Sequence, residues 1–291
     1  MCPQPGPRGR TFLTLAVGVT SISFAAILIR LTRSHAVAVA AWRMALAGLP
    51  LLPFLAYCRP RHVGTKNLLL SLLSGLFLAL HFSLWISSLR YTTVASSVVL
   101  VTTNPLFVGL FSVLMGERPT RRLWEGILLS FAGATMIGWG DFALGGRALW
   151  GDVLALLGAV MASGYLLAGR QARRELGLFP YISLAYGTAG ALLLLFVALV
   201  PGGEPLPLTG DWPWIALLAL GPQLLGHTAL NWALRFLPAA AVALAILGEP
   251  ILSSLWAYLI FGEAIRPLQG AGFALVLAGI ARGLGGTPGV G

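Results

Sequence analysis

Apolar runs of membrane-spanning length dominate this chain and leave little between them. Residues 67–89 read N-L-L-L-S-L-L-S-G-L-F-L-A-L-H-F-S-L-W-I-S-S-L, with no Asp, Glu, Lys or Arg. A helix needs about 20 predominantly apolar residues to cross the hydrocarbon of a bilayer. Ten runs approach that length: 12–32, 36–57, 67–89, 92–115, 121–139, 149–169, 179–200, 211–234, 238–261 and 267–284. The gaps are mostly a few residues long. The longest, 201–210, is a Pro/Gly loop, and no gap can hold a soluble domain. Charged residues make up 10% of the chain, against roughly a quarter in a soluble domain. Such a chain cannot cover a globule with polar surface, so its solvent is lipid. The expected fold class is an all-α membrane protein with ten transmembrane helices.

Two stretches carry the same landmarks. Arg90–Glu117 and Arg235–Glu263 each open with an Arg and an aromatic, Arg90-Tyr91 and Arg235-Phe236. Each places a polar residue before a mid-span proline, Asn104-Pro105 and Glu249-Pro250, and each closes in Gly-Glu. The Arg, polar and Pro positions stand 145 residues apart, and the closing Glu 146. Matched landmarks at one offset indicate internal duplication. Five spans per copy is an odd number, so the second copy enters the membrane from the opposite side. Two inverted five-helix repeats are therefore expected, with a solute site at mid-membrane between them. The expected division is a cytoplasmic N-terminal tail (1–11), a first repeat (12–140), a second repeat (147–284) and a cytoplasmic C-terminal tail (285–291).

The net charge of +10 comes from 19 basic and 9 acidic residues. The basic residues sit in the short gaps and are not interleaved with aromatics, which argues against a nucleic-acid partner. With the N-terminus inside, thirteen of the nineteen are cytoplasmic, five are outside and Arg43 lies within a span. The Lys/Arg bias toward cytoplasmic loops then puts both termini in the cytoplasm. The first run has no small-residue cleavage site and is expected to be a retained helix. Cys2 and Cys58 give neither a disulfide framework nor a metal site, and no cofactor is expected.

Chemistry is expected where polar groups enter the spans. Arg43 lies a few residues into span two. There it either faces a cavity or partner or snorkels to the interface. His81 and Trp85, four apart, share one helix face, as do His227 and Asn231. Each His is either a helix–helix hydrogen-bond partner or a cavity group. Such faces suit a solute with a polar group and an apolar or cationic body. Asn104 and Glu249 precede prolines that each free a backbone carbonyl. That carbonyl needs a partner or a water-lined cavity. An uncompensated Glu249 charge would cost about 2.5–3.5 kcal/mol on the lenient insertion scale, so Glu249 is protonated, paired or bound to a cation. Glu117 and Glu263 end spans four and nine, where an acid opposes the helix dipole. Local arginines are their expected partners: Arg118, Arg121 or Arg122 for Glu117, and Arg266 for Glu263. The chain is not expected to be an enzyme. Gly138-Trp139-Gly140-Asp141 has the G-x-G-D pattern of intramembrane aspartyl proteases, but no second Asp falls in mid-span. No G-x-S-G and no Gly-rich phosphate loop with Lys is present.

These residues resemble the drug/metabolite transporter superfamily, specifically its EamA-type ten-span permeases, over residues 12–284. The resemblance rests on W-R-M-A-L-A-G (42–48), S-L-R-Y-T-T-V-A-S-S-V-V…N-P-L-F (88–107), Gly116-Glu117, A-L-R-F-L-P-A-A (233–240), Glu249-Pro250 and Gly262-Glu263. It implies a cavity lined by spans one, three, four, six, eight and nine. Phe24, His81, Trp85, Asn104, Tyr165, His227, Asn231 and Glu249 match positions there, and Trp42 joins Arg43 in the first motif. The implied function is secondary active transport of a small polar organic solute, such as an amino acid or related metabolite, by alternating access in the cell (inner or plasma) membrane. A coupling proton is a candidate partner, with Glu249 the group that would bind it or a cationic group of the solute; an oligomer is not required. The alternatives are a flippase of a lipid-linked precursor and, from another class, an intramembrane enzyme.

Overall fold

A computed structural model describes residues 8–57, 64–139, 146–199 and 204–285. Most of both expected tails and the expected boundary residues 140–145 lie outside the described residues. Helices α1 (Arg8–Ser23), α2 (Ala25–Arg30), α3 (Ala36–Gly48), α4 (Leu52–Tyr57), α5 (Thr65–Ser88), α6 (Val94–Val101), α7 (Asn104–Leu114) and α8 (Arg121–Gly138) come first. Then follow α9 (Gly146–Arg173), α10 (Leu178–Leu199), α11 (Trp212–Leu218), a π-helical segment (Ala219–His227), α12 (Thr228–Ala233), α13 (Ala239–Ile246), α14 (Glu249–Phe261) and α15 (Pro267–Gly285).

Among the described residues, eight helical stretches are long and apolar enough to cross a membrane. Two expected spans are not among them, and each has a local cause. α8 carries Arg121, Arg122 and Glu125 in its first turns. The run from Trp212 to Ala233 is divided by its π segment.

Local sequence fixes where the helices start and stop. The Thr93 hydroxyl accepts from the Ser96 amide at the start of α6, and the Thr120 hydroxyl from the Leu123 amide at the start of α8; a hydroxyl at this position satisfies one of the helix's unpaired N–H groups. The repeated Gly-Glu pair is a stop signal. Gly116 and Gly262 adopt φ of 82° and 70°, the left-handed conformation that commonly ends a helix. The two mid-span prolines lie at helix breaks. The chain leaves α6 at Thr102 and restarts at Asn104; it leaves α13 at Leu247 and restarts at Glu249. Pro105 and Pro250 thus occupy the first turn of a new helix, where a missing N–H costs nothing.

Small residues hold the bundle together by letting backbones meet. In the pairing of α8 with α15, a Cβ built on Gly126 would fall 2.6 Å from the Gly279 carbonyl oxygen, and one on Gly133 would fall 2.6 Å from that of Gly272. Ser130 adds a hydrogen bond to the Val276 carbonyl at 3.1 Å. Gly75 of α5 lies equally close to Ala185 of α10. α5 also packs along α9.

Polar contacts gather at the two ends of α5 and α9. At one end, Arg90 donates to the Thr32 and Ser34 carbonyls, Thr92 to Asp152, and Ser34 and Arg33 to Asp211. Arg30 pairs with Glu263 at this end. At the other end, Asn67 donates to Glu175, and Arg170 to the Leu234 and Arg235 carbonyls. Arg173 donates there to the Asn231 and Leu176 carbonyls, and Arg235 to the Arg173 carbonyl. The partner of Glu117 is not a neighbouring Arg but Arg174, just past the end of α9. The turn after α7 points its acid across to the α9–α10 connection, a contact invisible to local spacing.

Candidate functional site

A small cavity of about 50 Å³ lies where both halves of the chain meet. That is room for a few water molecules. Seven of the ten expected site residues line it: Arg43, His81, Trp85, Asn104, Tyr165, His227 and Glu249. α3 and α5 supply Arg43, His81 and Trp85; α9 supplies Tyr165; the π segment ends in His227. Asn104 and Glu249 enter as the first residues of α7 and α14. A helix start carries positive partial charge, so Glu249 sits where the backbone favours an acid. Asn104 occupies the matching place without a charge.

Arg43 is fully buried, so its head does not reach the surface. Its guanidinium lies over the Phe82 ring, 4.0 Å from the centroid, and its Nε donates to Gln223 Oε1 at 3.2 Å. The two terminal nitrogens have no hydrogen-bond partner. His81 serves both roles that its position allowed. Its Nδ1 donates to the Gly158 carbonyl of α9 at 3.0 Å, and its ring stacks 6.0 Å from Trp85. Phe82 meets His227 edge-on at 5.4 Å and so bridges the two His residues.

Asn231 lies just behind the cavity wall. Its amide donates to the hydroxyls of Tyr165 at 2.6 Å and Tyr186 at 3.1 Å. The remaining two residues are elsewhere. Phe24 stacks on Trp256 at 4.3 Å at the α1–α2 break. Trp42 donates to the Pro205 carbonyl at 2.6 Å and meets Trp212 edge-on. Sequence spacing did not single out Gln223, Phe82 or Tyr186. For Gln223 there was a signal: it follows Pro222, which lies inside span eight and belongs to the π segment. Single-stretch π-helix is rare and concentrates at functional sites.

A second, wider cavity of about 590 Å³ lies toward the Arg90 end. Arg30, Arg90, Arg266 and Glu263 line it, and it reaches Pro250 and Ser253 of α14. The first turn of α14 and part of α6 therefore stand between the wide cavity and the small one.

A multi-pass helical membrane protein with a largely apolar cavity shared by its two halves, into which a few ionisable and polar side chains are set, has the build of a membrane transporter. The chain belongs to the EamA-like transporter family, which residues 9–139 and 149–282 match in two copies. It is 24% identical over 223 residues to an uncharacterized transporter of Archaeoglobus fulgidus, covering 75% of this chain and 76% of that protein. It is 26% identical over 233 residues to the uncharacterized inner membrane transporter YedA of Escherichia coli K12, covering 78% and 74%. A protein of known crystal structure superposes with a TM-score of 0.73 at 20% identity, over 95% of this chain and 98% of that one. This last likeness concerns the fold alone.

Proposed function

We propose that the chain is a secondary active transporter of a small polar organic solute, such as an amino acid or related metabolite. It works by alternating access between inverted five-helix repeats, residues 12–140 and 147–284. The observation that carries this reading is the small central cavity, lined from both halves and bounded by the two helix restarts at Asn104 and Glu249. Inversion is supported by the contacts of matched residues. Arg90 and Arg235 hold opposite ends of the bundle, as do Glu263 and Glu117 through Arg30 and Arg174. The reading takes α8 and the Trp212–Ala233 run as the two further crossings, making ten. The Arg170, Arg173 and Arg235 end faces the cytoplasm with both termini, in the cell inner or plasma membrane, and a coupling proton binds at the central site.

Proteoliposomes loaded with a panel of amino acids, choline, uracil and short organic acids should show counterflow of at least one labelled solute above protein-free vesicles. Absence of exchange for every solute would overturn transport of this class and favour a lipid-linked substrate. Orientation has its own check. In a background lacking Cys2 and Cys58, Leu206→Cys should react with an impermeant thiol reagent on intact cells. Gly64→Cys should react only after permeabilisation. Equal reaction of both on intact cells would remove the inverted arrangement.

A further inference from the structure

Arg43 presents unused N–H groups to a cavity whose acceptors, Glu249 and the unpartnered Asn104 Oδ1, make no hydrogen bond to them. The reasoning rests on the transport reading above. Arg43 is among the largest fully buried side chains, yet both terminal nitrogens lack a partner. An unpaired buried charge is among the costliest features a fold can keep. Its neighbour cannot supply the missing acceptor. Gln223 presents its amide oxygen to the Arg43 Nε–H, and its Nε2 is a donor turned toward the Tyr186 hydroxyl. The indole Nε1 of Trp85, on the same cavity, is a further unpartnered donor. Phe82 covers the flat face of the guanidinium, so the free terminal edge is what remains for a ligand. A planar fork with two free N–H edges matches a carboxylate and binds it through two parallel hydrogen bonds.

Glu249 lines the same cavity but makes no hydrogen bond to those nitrogens.

We infer that the free edge of Arg43 anchors a carboxylate of the transported solute, with the Trp85 indole N–H beside it. The solutes are then organic carboxylates, and quaternary amines and neutral nucleobases are poor substrates.

The test compares matched probes on the purified full chain: L-phenylalanine, 3-phenylpropionate and L-phenylalaninamide, extended to the other protein amino acids and short mono- and dicarboxylates. At least one carboxylate should bind at least ~10-fold tighter than its own amide, as expected for losing a hydrogen-bonded charged partner. Arg43→Gln should abolish that preference by costing the carboxylate at least ~10-fold more affinity than it costs the amide, and Arg43→Lys should restore part of it. Equal affinity of each acid and its amide in the wild-type protein overturns the inference, and needs no folded variant. So does a preference that survives Arg43→Gln. Counterflow separates this failure from failure of the transport reading. Exchange of choline or uracil without exchange of any carboxylate overturns the carboxylate assignment and leaves transport standing. No exchange of any solute removes transport itself.

Discussion

Replacing Glu249 by Gln is expected to slow solute exchange at least ~10-fold, equivalent to ~1.4 kcal/mol, and to flatten its pH dependence. Gln keeps the size and hydrogen bonding of the side chain but cannot ionise. Glu249 begins α14 and lines the central cavity together with Arg43. Its counterpart Asn104 begins α7 and lines the same cavity without a charge. Duplication therefore provides an internal comparison: the helix restart is common to both halves, and the ionisable group is not. A group that binds a proton in one step and a solute cation or no proton in another must change charge, and the amide removes that change. If Glu249 only donated a hydrogen bond to a nearby carbonyl, the Gln variant would exchange solute at the wild-type rate with the same pH profile. Measured exchange of that kind would end the switching role.

The second large effect concerns assembly. Gly279→Ala should lower the thermal midpoint of the detergent-purified protein by several degrees, while Gly270→Ala on the same helix should leave it unchanged or raise it. A Cβ at Gly279 would fall 2.2 Å from Ser130 Oγ, 2.6 Å from Ser130 N and 2.7 Å from the Gly126 carbonyl oxygen. The hydroxyl can rotate away, but the other two atoms are backbone, so α8 and α15 must move apart. Overpacking of this kind costs roughly 1–3 kcal/mol. It also stretches the hydrogen bond from Ser130 to Val276. At Gly270 no atom lies within 4 Å of an added Cβ, and Ala is favoured over Gly in a helix by up to about 1 kcal/mol. Equal midpoints for the two variants would mean that these helices do not pack backbone to backbone.

Some of this was legible from residue spacing, because it follows from local rules. The Gly-Glu pairs at 116–117 and 262–263 end helices, since glycine takes the left-handed conformation at a helix stop without strain. Asn104-Pro105 and Glu249-Pro250 lie at breaks: each proline was expected to free a carbonyl within a span, and the structure shows it instead in the first turn of a restarted helix. The four-residue spacing of His81 and Trp85 does put both on one cavity wall. What spacing could not give is which distant helix comes alongside. Glu117 finds Arg174 and Glu263 finds Arg30 because interhelical packing, not turn chemistry, brings those side chains within reach. Phe24 and Trp42 carry aromatic partners, Trp256 and Trp212, more than 160 residues away in the sequence. Gln223 was unmarked by charge or repeat, and its role appears only when Arg43 is placed against it.

The π segment from Ala219 to His227 also sets an angular register. Its hydrogen bonds reach one residue further than those of an α-helix, so each of its turns takes up one extra residue. An α-helix turns about 100° per residue. If one such turn tightened to α, everything after it would swivel by about that angle. His227 would swing off the central cavity, and Asn231 would leave Tyr165 and Tyr186. The same segment holds Gln223 against Arg43, so the swivel would release the guanidinium at the same moment. The extra residue is rotation held within a single span, in a segment that also contains Pro222, whose missing N–H already leaves one carbonyl of the ladder without its donor.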